Sequence, residues 1–453
     1  MKAMILPEFG APLRLATVPV PKIGPNDVLL RVRAAGVGLT VVIMTANPGR
    51  VTSFPRIPGH EVAGDVAEIG SEVSHVKIGD RVTCHFYLTC GVCRFCRSGR
   101  ETLCPASPGN VGMASDGAYA EYMAIPARNV TAIPTGVSDV DAAVAADAIA
   151  TTYHACREEA RIGPGDFVLI VGAGGGVGIH AVQMAKLSGG WVLAADISDD
   201  KLAAAKECGA DALVDVRRGD LASQVSKLTG GRGVDAAIDF VASRETLEGS
   251  LKSLARAGRL VIIGSRPTAV FGVDSNFTVD PRHMLASMLE IHGSRYVTLT
   301  EIAQTLELLR LKRIRAIVSR TFPLERAEEA HELLRKNALI GRAALVLARR
   351  REGDLAKLVL GESLGRERDE SEEKSDRRRR DSHRPSASRP PLPRPKDPAD
   401  REPVSARGRR AARGRGRRRC ACRAPAPPGR RRRRGARLRR PGPDAACRTV
   451  RRG

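Results

Sequence analysis

The sequence predicts an α/β fold: a mostly-β region, then a parallel sheet covered by helices on both faces, a short closing segment, and a disordered C-terminal tail. Three observations carry this. Residues 1–148 hold short valine-rich runs split by Gly, Pro and Asp, residues 149–294 alternate apolar runs with helical stretches, and residues 351–453 change composition abruptly. Strand–helix alternation with nearly uninterrupted apolar strands requires a sheet buried on both sides.

In the first region "DVLLRVRAAGVG" (27–38), "EVAGDVAEIG" (61–70) and "DRVTCHF" (80–86) read as strands. In the second, "FVLIVGA", "WVLAAD", "AAIDFVA" and "RLVIIGS" are the strands, and "GIHAVQMAKLSG", "KLAAAKECG" and "TLEGSLKSLARAG" the helices. Residues 295–350 hold a helix pair, "TEIAQTLELLRLKR" and "LERAEEAHELLRK", and a last strand, "GRAALVLA".

Charge separates the tail from the rest. Residues 351–453 carry 34 Lys+Arg against 14 Asp+Glu, leaving 40 against 36 for residues 1–350, so the globular part is near neutral. The tail contains no Phe, Tyr or Trp and cannot bury a core. Its arginine runs suit electrostatic contact with nucleic acid, without aromatics for base stacking. The alternatives are a solvated appendage or coding sequence read out of frame. No apolar run reaches the roughly 18 residues of a membrane span, and "MKAMILPEFGAPLRL" lacks a cleavable signal. The expectation is a soluble cytoplasmic protein, with no membrane partner.

"DFVLIVGAGGGVGIHAVQMAKLSGGWVLAAD" is strand, glycine-rich turn, helix and strand, ending at Asp196. Glycines let backbone approach a pyrophosphate, which unpaired N–H groups at the helix start then bind. Gly172, Gly174, Gly175, Gly176 and Gly178 are the candidates, although Ala173 takes the first glycine position of the usual pattern. Asp196 stands 18 positions after Gly178, where a carboxylate accepts from the adenosine ribose and repels a 2′-phosphate, favouring NAD over NADP. Lys201 either approaches that ribose or a phosphate, or is a solvated helix lysine.

Cys90, Cys93, Cys96 and Cys104 are separated by two, two and seven residues. Four thiolates fill a tetrahedral zinc site and leave no position for chemistry, so the site is structural. Disulfides are disfavoured in a reducing compartment, and spacing alone leaves iron–sulfur ligation open. Cys84, Cys156 and Cys208 read as ordinary thiols.

With "GHE" at 59–61, the cysteine lobe (about 84–105), "GGGVG" with Asp196 and Lys201, and "GR" at 341–342, the chain resembles the zinc-containing alcohol dehydrogenase branch of the medium-chain dehydrogenase/reductase superfamily. The resemblance covers residues 1 to about 349. It implies a Rossmann doubly wound sheet (149–294) inserted in a GroES-like catalytic domain formed by 1–148 and 295–350. It also implies an active site in the cleft, an alcohol or carbonyl substrate, and a homodimer or homotetramer. By family position Thr151 approaches the nicotinamide, Arg342 the pyrophosphate, Val177 packs beside the cofactor, and Phe240, Ile263 and Gly264 line the crevice.

The family's catalytic zinc takes a cysteine, a histidine and a second cysteine or an acidic residue, with a glutamate beside the histidine. His60 and Glu61 match the middle of that set; Asp147, in "VAADAIATTY", matches its end or is a helix N-cap. Gly38 stands where the first cysteine belongs, Val41 replaces an orienting aspartate, and Ile43 replaces a relay histidine. Two enzyme readings follow. In one, zinc held by His60, Asp147 and Glu61 or water assists hydride transfer to NAD⁺, with Thr40 passing the proton. In the other, only the cysteine-bound zinc remains and the protein reduces activated double bonds or quinones. Leu39, Phe54 and Tyr153 suggest an apolar substrate cleft.

Overall fold

The computed structural model describes residues 1–46, 51, 53–264 and 272–348. The expected tail lies outside the described residues, and with it the expectations of disorder and nucleic-acid contact.

The parallel sheet has six strands, in the order Ala212–Asp215, Trp191–Asp196, Phe167–Val171, Val234–Asp239, Leu254–Ile262 and Glu290–Gly293. All five pairings are parallel. Chain order reverses beside Phe167–Val171, and in open α/β sheets ligands bind outside the strand ends at such a switch point. The central strands are apolar because helices cover both faces: Val168, Leu169, Ile170, Leu193 and Ile238 are fully buried. Helices Gly178–Leu187, Asp199–Glu207, Leu221–Leu228 and Arg244–Lys252 intervene between strands. The stretch "TLEGSLKSLARAG" is not helical throughout. Its helix ends at Lys252 and a strand begins at Leu254, with Ser253 donating its hydroxyl back to Gly249 O at 2.7 Å. Two further elements, Ala212–Asp215 and Leu221–Leu228, escape the apolar-run reading because the strand is only four residues long.

The second sheet has seven strands. Its path runs Val318–Pro323, Arg342–Val346, Asp27–Val37, Glu61–Ile69, Arg81–Cys84 and Val130–Ala132, and Tyr122–Pro126 also pairs with Asp27–Val37. The return segment therefore supplies two strands rather than one, and both belong to the sheet built by the N-terminal region. Register in this sheet positions the site. Ala343 pairs with Val37 and Ala344 with Gly36, antiparallel, so Arg342 falls opposite Gly38. Gly36 in turn pairs with Glu61.

Between the sheets runs one helical stretch, Asp139–Val144, Ala145–Ile149, Ala150–His154 and Ala155–Glu159, whose second and fourth pieces are π turns. It crosses residues 148 and 149, where composition changes. No described helix is long and apolar enough to cross a membrane.

Candidate active site and metal centres

The strand register above brings His60, Glu61, Gly38 and Arg342 to one place, and a π turn adds Asp147. Asp147 sits inside Ala145–Ile149 and caps nothing; the N-cap of this helical stretch is Ser138, whose hydroxyl accepts from Asp141 N. A π turn widens the helix and aims a side chain out of the usual register, and such turns recur at functional sites. Thr151, four residues on, donates its hydroxyl to Asp147 Oδ1 at 3.0 Å.

His60 Nε2 lies 3.5 Å from Asp147 Oδ2 and 3.8 Å from Glu61 Oε1. Arg342 Nη2 lies 2.8 Å from the same Asp147 oxygen and 3.1 Å from the same Glu61 oxygen. All four side chains are buried. Burial pushes the Glu61 carboxyl well above its ordinary value, with Arg342 opposing. Burial also acts to raise Asp147, yet His60 and Arg342 hold it well below the usual carboxylate range. Two neighbouring carboxyls thus differ sharply in proton affinity.

The donor set fits a divalent cation. One nitrogen and two oxygens gather within 4.8 Å of one another, and ligands about 2.0–2.2 Å from zinc in a tetrahedral site stand about 3.4 Å apart. Neither Glu61 oxygen finds a well-aligned hydrogen bond despite full burial, and the guanidinium of Arg342, 3.1 Å from Oε1, is the cation that faces it. The missing cysteine is not replaced by another ligand. A Cβ on Gly38 would lie 2.2 Å from Arg342 Nη1 and 2.9 Å from Glu61 Oε1, so the arginine fills that space. The His60 ring packs 4.5 Å from Phe86, which packs 4.1 Å from Tyr296. Tyr296 donates its hydroxyl to Ala146 O. This aromatic wall is absent from the expectations. "HFY" at 85–87 and an isolated Tyr296 become one cluster only through the tertiary fold.

Thr40 is half-buried in the first turn of helix Leu39–Thr45, and its hydroxyl has no hydrogen-bond partner among the described residues. Val41 is buried and Ile43 half-buried on the same helix. Tyr153 faces elsewhere: it lines a cavity of about 700 Å³ with Met184, Leu308, Arg157, Arg161 and Arg313, and stacks under Arg157. Phe54 is largely exposed.

At the dinucleotide loop, the strand ending at Val171 turns through Gly172–Gly176 into the helix whose N-cap is Val177 and whose first residue is Gly178. Gly174 N donates to Asp196 Oδ2 at 2.9 Å, and Ile197 N to Asp196 Oδ1 at 2.8 Å. Asp196 therefore holds the loop as well as closing its strand. Lys201 is buried, not solvated: its Cβ and Cγ pack under Gly174, and Nζ donates to Asn337 Oδ1 at 2.7 Å. Gly341 N donates to Gly174 O at 3.1 Å, tying the return segment to the loop. Arg342 passes beneath Gly176, where a Cβ would meet its Nη1 at 3.0 Å. Phe240 N donates to Val171 O, and Ile263 and Gly264 donate to Asp239 O, so these three residues close the strand ends around the crevice. His180 and Asp239, both buried, also hold this loop region and were not anticipated. His180 bridges Gly176 O (3.0 Å) and Ile317 N (2.9 Å), and Asp239 accepts from Val241 N and Ala242 N.

The four cysteines converge 30 residues downstream of His60 in sequence. Cys93 and Cys96 sulfurs are 3.5 Å apart and Cys90 and Cys96 sulfurs 3.9 Å. These are not disulfide distances, and Zn–S bonds of about 2.3 Å set tetrahedral sulfurs about 3.8 Å apart. Val92 and Cys93 N–H groups lower the Cys90 thiol to about 6, while burial raises Cys96 to about 12. Cys84 and Cys156 are buried free thiols, and Cys208 is half-buried.

Residues 24–135 match the alcohol dehydrogenase GroES-like domain and residues 176–310 the zinc-binding dehydrogenase domain. The NAD-dependent alcohol dehydrogenase of Sulfurisphaera tokodaii is 34% identical over 359 residues, covering 76% of this chain and all of that protein. An alcohol dehydrogenase of Geobacillus stearothermophilus is 35% identical over 347 residues, covering 76% of this chain and 99% of its own. The crystal structure of AibC superposes with a TM-score of 0.72 at 36% identity, covering 77% of this chain and 96% of that one.

Proposed function

The chain belongs to the zinc-containing alcohol dehydrogenase family of medium-chain dehydrogenases/reductases, and from that premise we propose that it interconverts an alcohol and an aldehyde or ketone with NAD, assisted by a divalent metal at His60, Glu61 and Asp147. The observation that carries the reading is the convergence of those three buried donors within 4.8 Å of one another. A zinc ion there supplies Lewis acidity that lowers the pKa of a substrate hydroxyl.

The chain's own residues do the rest. Thr151 orients Asp147 through its hydroxyl on Oδ1, as outer groups do for ligating carboxylates. Phe86 and Tyr296 exclude water beside His60. Thr40, whose hydroxyl has no partner among the described residues, takes the substrate proton towards solvent. The loop Gly172–Gly178 and Asp196 hold the dinucleotide, with Thr151, Val177, Phe240, Ile263 and Gly264 along the crevice and Lys201 bracing the loop from below. The cysteine lobe holds a structural zinc.

Zinc content of the chain before and after His60→Ala tests this reading. A loss of one zinc per chain supports it; an unchanged count defeats it. The absent side chain at position 38 favours a second reading, reduction of activated double bonds or quinones with the guanidinium of Arg342 in the metal's place. That reading expects NADH oxidation with quinones and none of the alcohol-dependent NAD⁺ reduction expected of the first.

A further inference from the structure

We propose that Arg342 couples dinucleotide binding to metal binding, its guanidinium holding the acidic site until a pyrophosphate on the glycine-rich loop draws it away. The inference rests on the metal-assisted reading above. Arg342 Nη2 engages Asp147 Oδ2 and Glu61 Oε1, the very oxygens that stand 3.5 and 3.8 Å from His60 Nε2. A divalent cation on those atoms and a guanidinium beside them are like charges in a buried site, where repulsion is little screened. One must yield. In a site with a cysteine at position 38 the arginine would be excluded from this place, because a Cβ there meets Nη1 at 2.2 Å. The glycine is what allows it in.

The same side chain has a second anion within reach. Nη1 and Cδ lie 3.0 and 3.2 Å from the position of a Cβ on Gly176, so Arg342 runs directly beneath the loop expected to hold the pyrophosphate. Its neighbour Gly341 is bonded to that loop through Gly174 O. The planar fork of a guanidinium suits phosphate as well as carboxylate. A guanidinium turned from the carboxylates towards a phosphate on that loop leaves two carboxylates and an imidazole open to a metal. Two ligands that bias one two-position element in the same direction bind with positive, reciprocal coupling.

The full chain is titrated with Zn²⁺ by calorimetry, with and without saturating ADP-ribose, which carries the pyrophosphate and no nicotinamide charge. His60→Ala, run in parallel, subtracts zinc bound elsewhere. ADP-ribose should tighten the His60-dependent zinc site by roughly tenfold or more, and zinc should tighten ADP-ribose by the same factor. Arg342→Gln should bind zinc tightly without ADP-ribose and respond to it by less than about twofold. Gly38→Ala provides an independent route, since its methyl evicts the guanidinium and should raise zinc affinity in the same way. A wild-type zinc site that ADP-ribose leaves unchanged or weakens overturns the switch, as does wild-type coupling in Arg342→Gln. If no His60-dependent zinc appears in any arm, the metal-assisted reading falls too; if it appears without coupling, only the switch falls.

Discussion

Acid should loosen the dinucleotide loop through His180. Its Nε2 accepts from Ile317 N at 2.9 Å, so the imidazole proton resides on Nδ1 and is donated to Gly176 O at 3.0 Å. A second ring proton would face the Ile317 N–H and break that bond. Burial first, and then the charge of Arg342, lower the His180 pKa from 6.5 to about 3. The unfolded chain takes up a proton near pH 6.5 and the folded one resists until about pH 3. The contribution is therefore intact above pH 6.5 and is lost as pH falls towards 3, at about 1.4 kcal/mol per pH unit. At pH 5 the loss is about 2 kcal/mol. The assay is urea unfolding at pH 7.5 and 5.0, followed by the fluorescence of Trp191, the single tryptophan, which lies in the parallel sheet. His180→Gln keeps a donor and an acceptor but cannot titrate, and all other groups cancel in the difference. Wild type should lose about 2 kcal/mol more than the variant between the two pH values. Equal losses would show that His180 is not held neutral by its two backbone partners.

Four further outcomes are expected. Gly174→Ala places a methyl 2.3 Å from Lys201 Cβ and 2.8 Å from its Cα; overpacking of about 1–3 kcal/mol at the loop should weaken NADH binding roughly tenfold or more in a fluorescence titration. Asp147→Ala leaves Arg342 with Glu61 alone in a buried site. It should cost about 3–5 kcal/mol of stability in the same urea assay, whereas Thr40→Ala, which breaks no bond among the described residues, should leave stability within about 0.5 kcal/mol. Deleting residues 351–453 should leave turnover unchanged, and a large loss would give that segment a role in the enzyme.

The parallel sheet was legible because its signal is local. A strand buried on both faces must be apolar along its length, so "FVLIV" and "WVLAA" declare themselves. Where a strand is short, as at Ala212–Asp215, or follows a helix without a breaker, as at Leu254, local pattern fails. The cysteine site was legible for the same reason: its four ligands fall within 15 residues, and chain geometry leaves them little choice but to meet. Lys201 was open to two readings because a lysine on a helix declares nothing about its surroundings; only Gly174 above it and Asn337 beside it decide that it is buried.

The acidic site was half legible, and the missing half is the informative one. Gly38 announces the loss of a ligand, but what fills the space comes from a residue 304 positions away. That pairing is set by antiparallel register, Ala343 on Val37, which no motif encodes. Scoring ligands one by one therefore treats Gly38 as a vacancy and Arg342 as a phosphate contact, two unrelated facts. In the folded sheet they are one fact: a small residue on one strand admits a long cation from the next. The carboxylates on either side are buried, and buried charge must be met by a cation of some kind. With a thiolate gone, the competition for that role is between an arginine fixed in the sequence and a metal drawn from solution. On the coupling proposed above, a pyrophosphate held by the glycine-rich loop decides it.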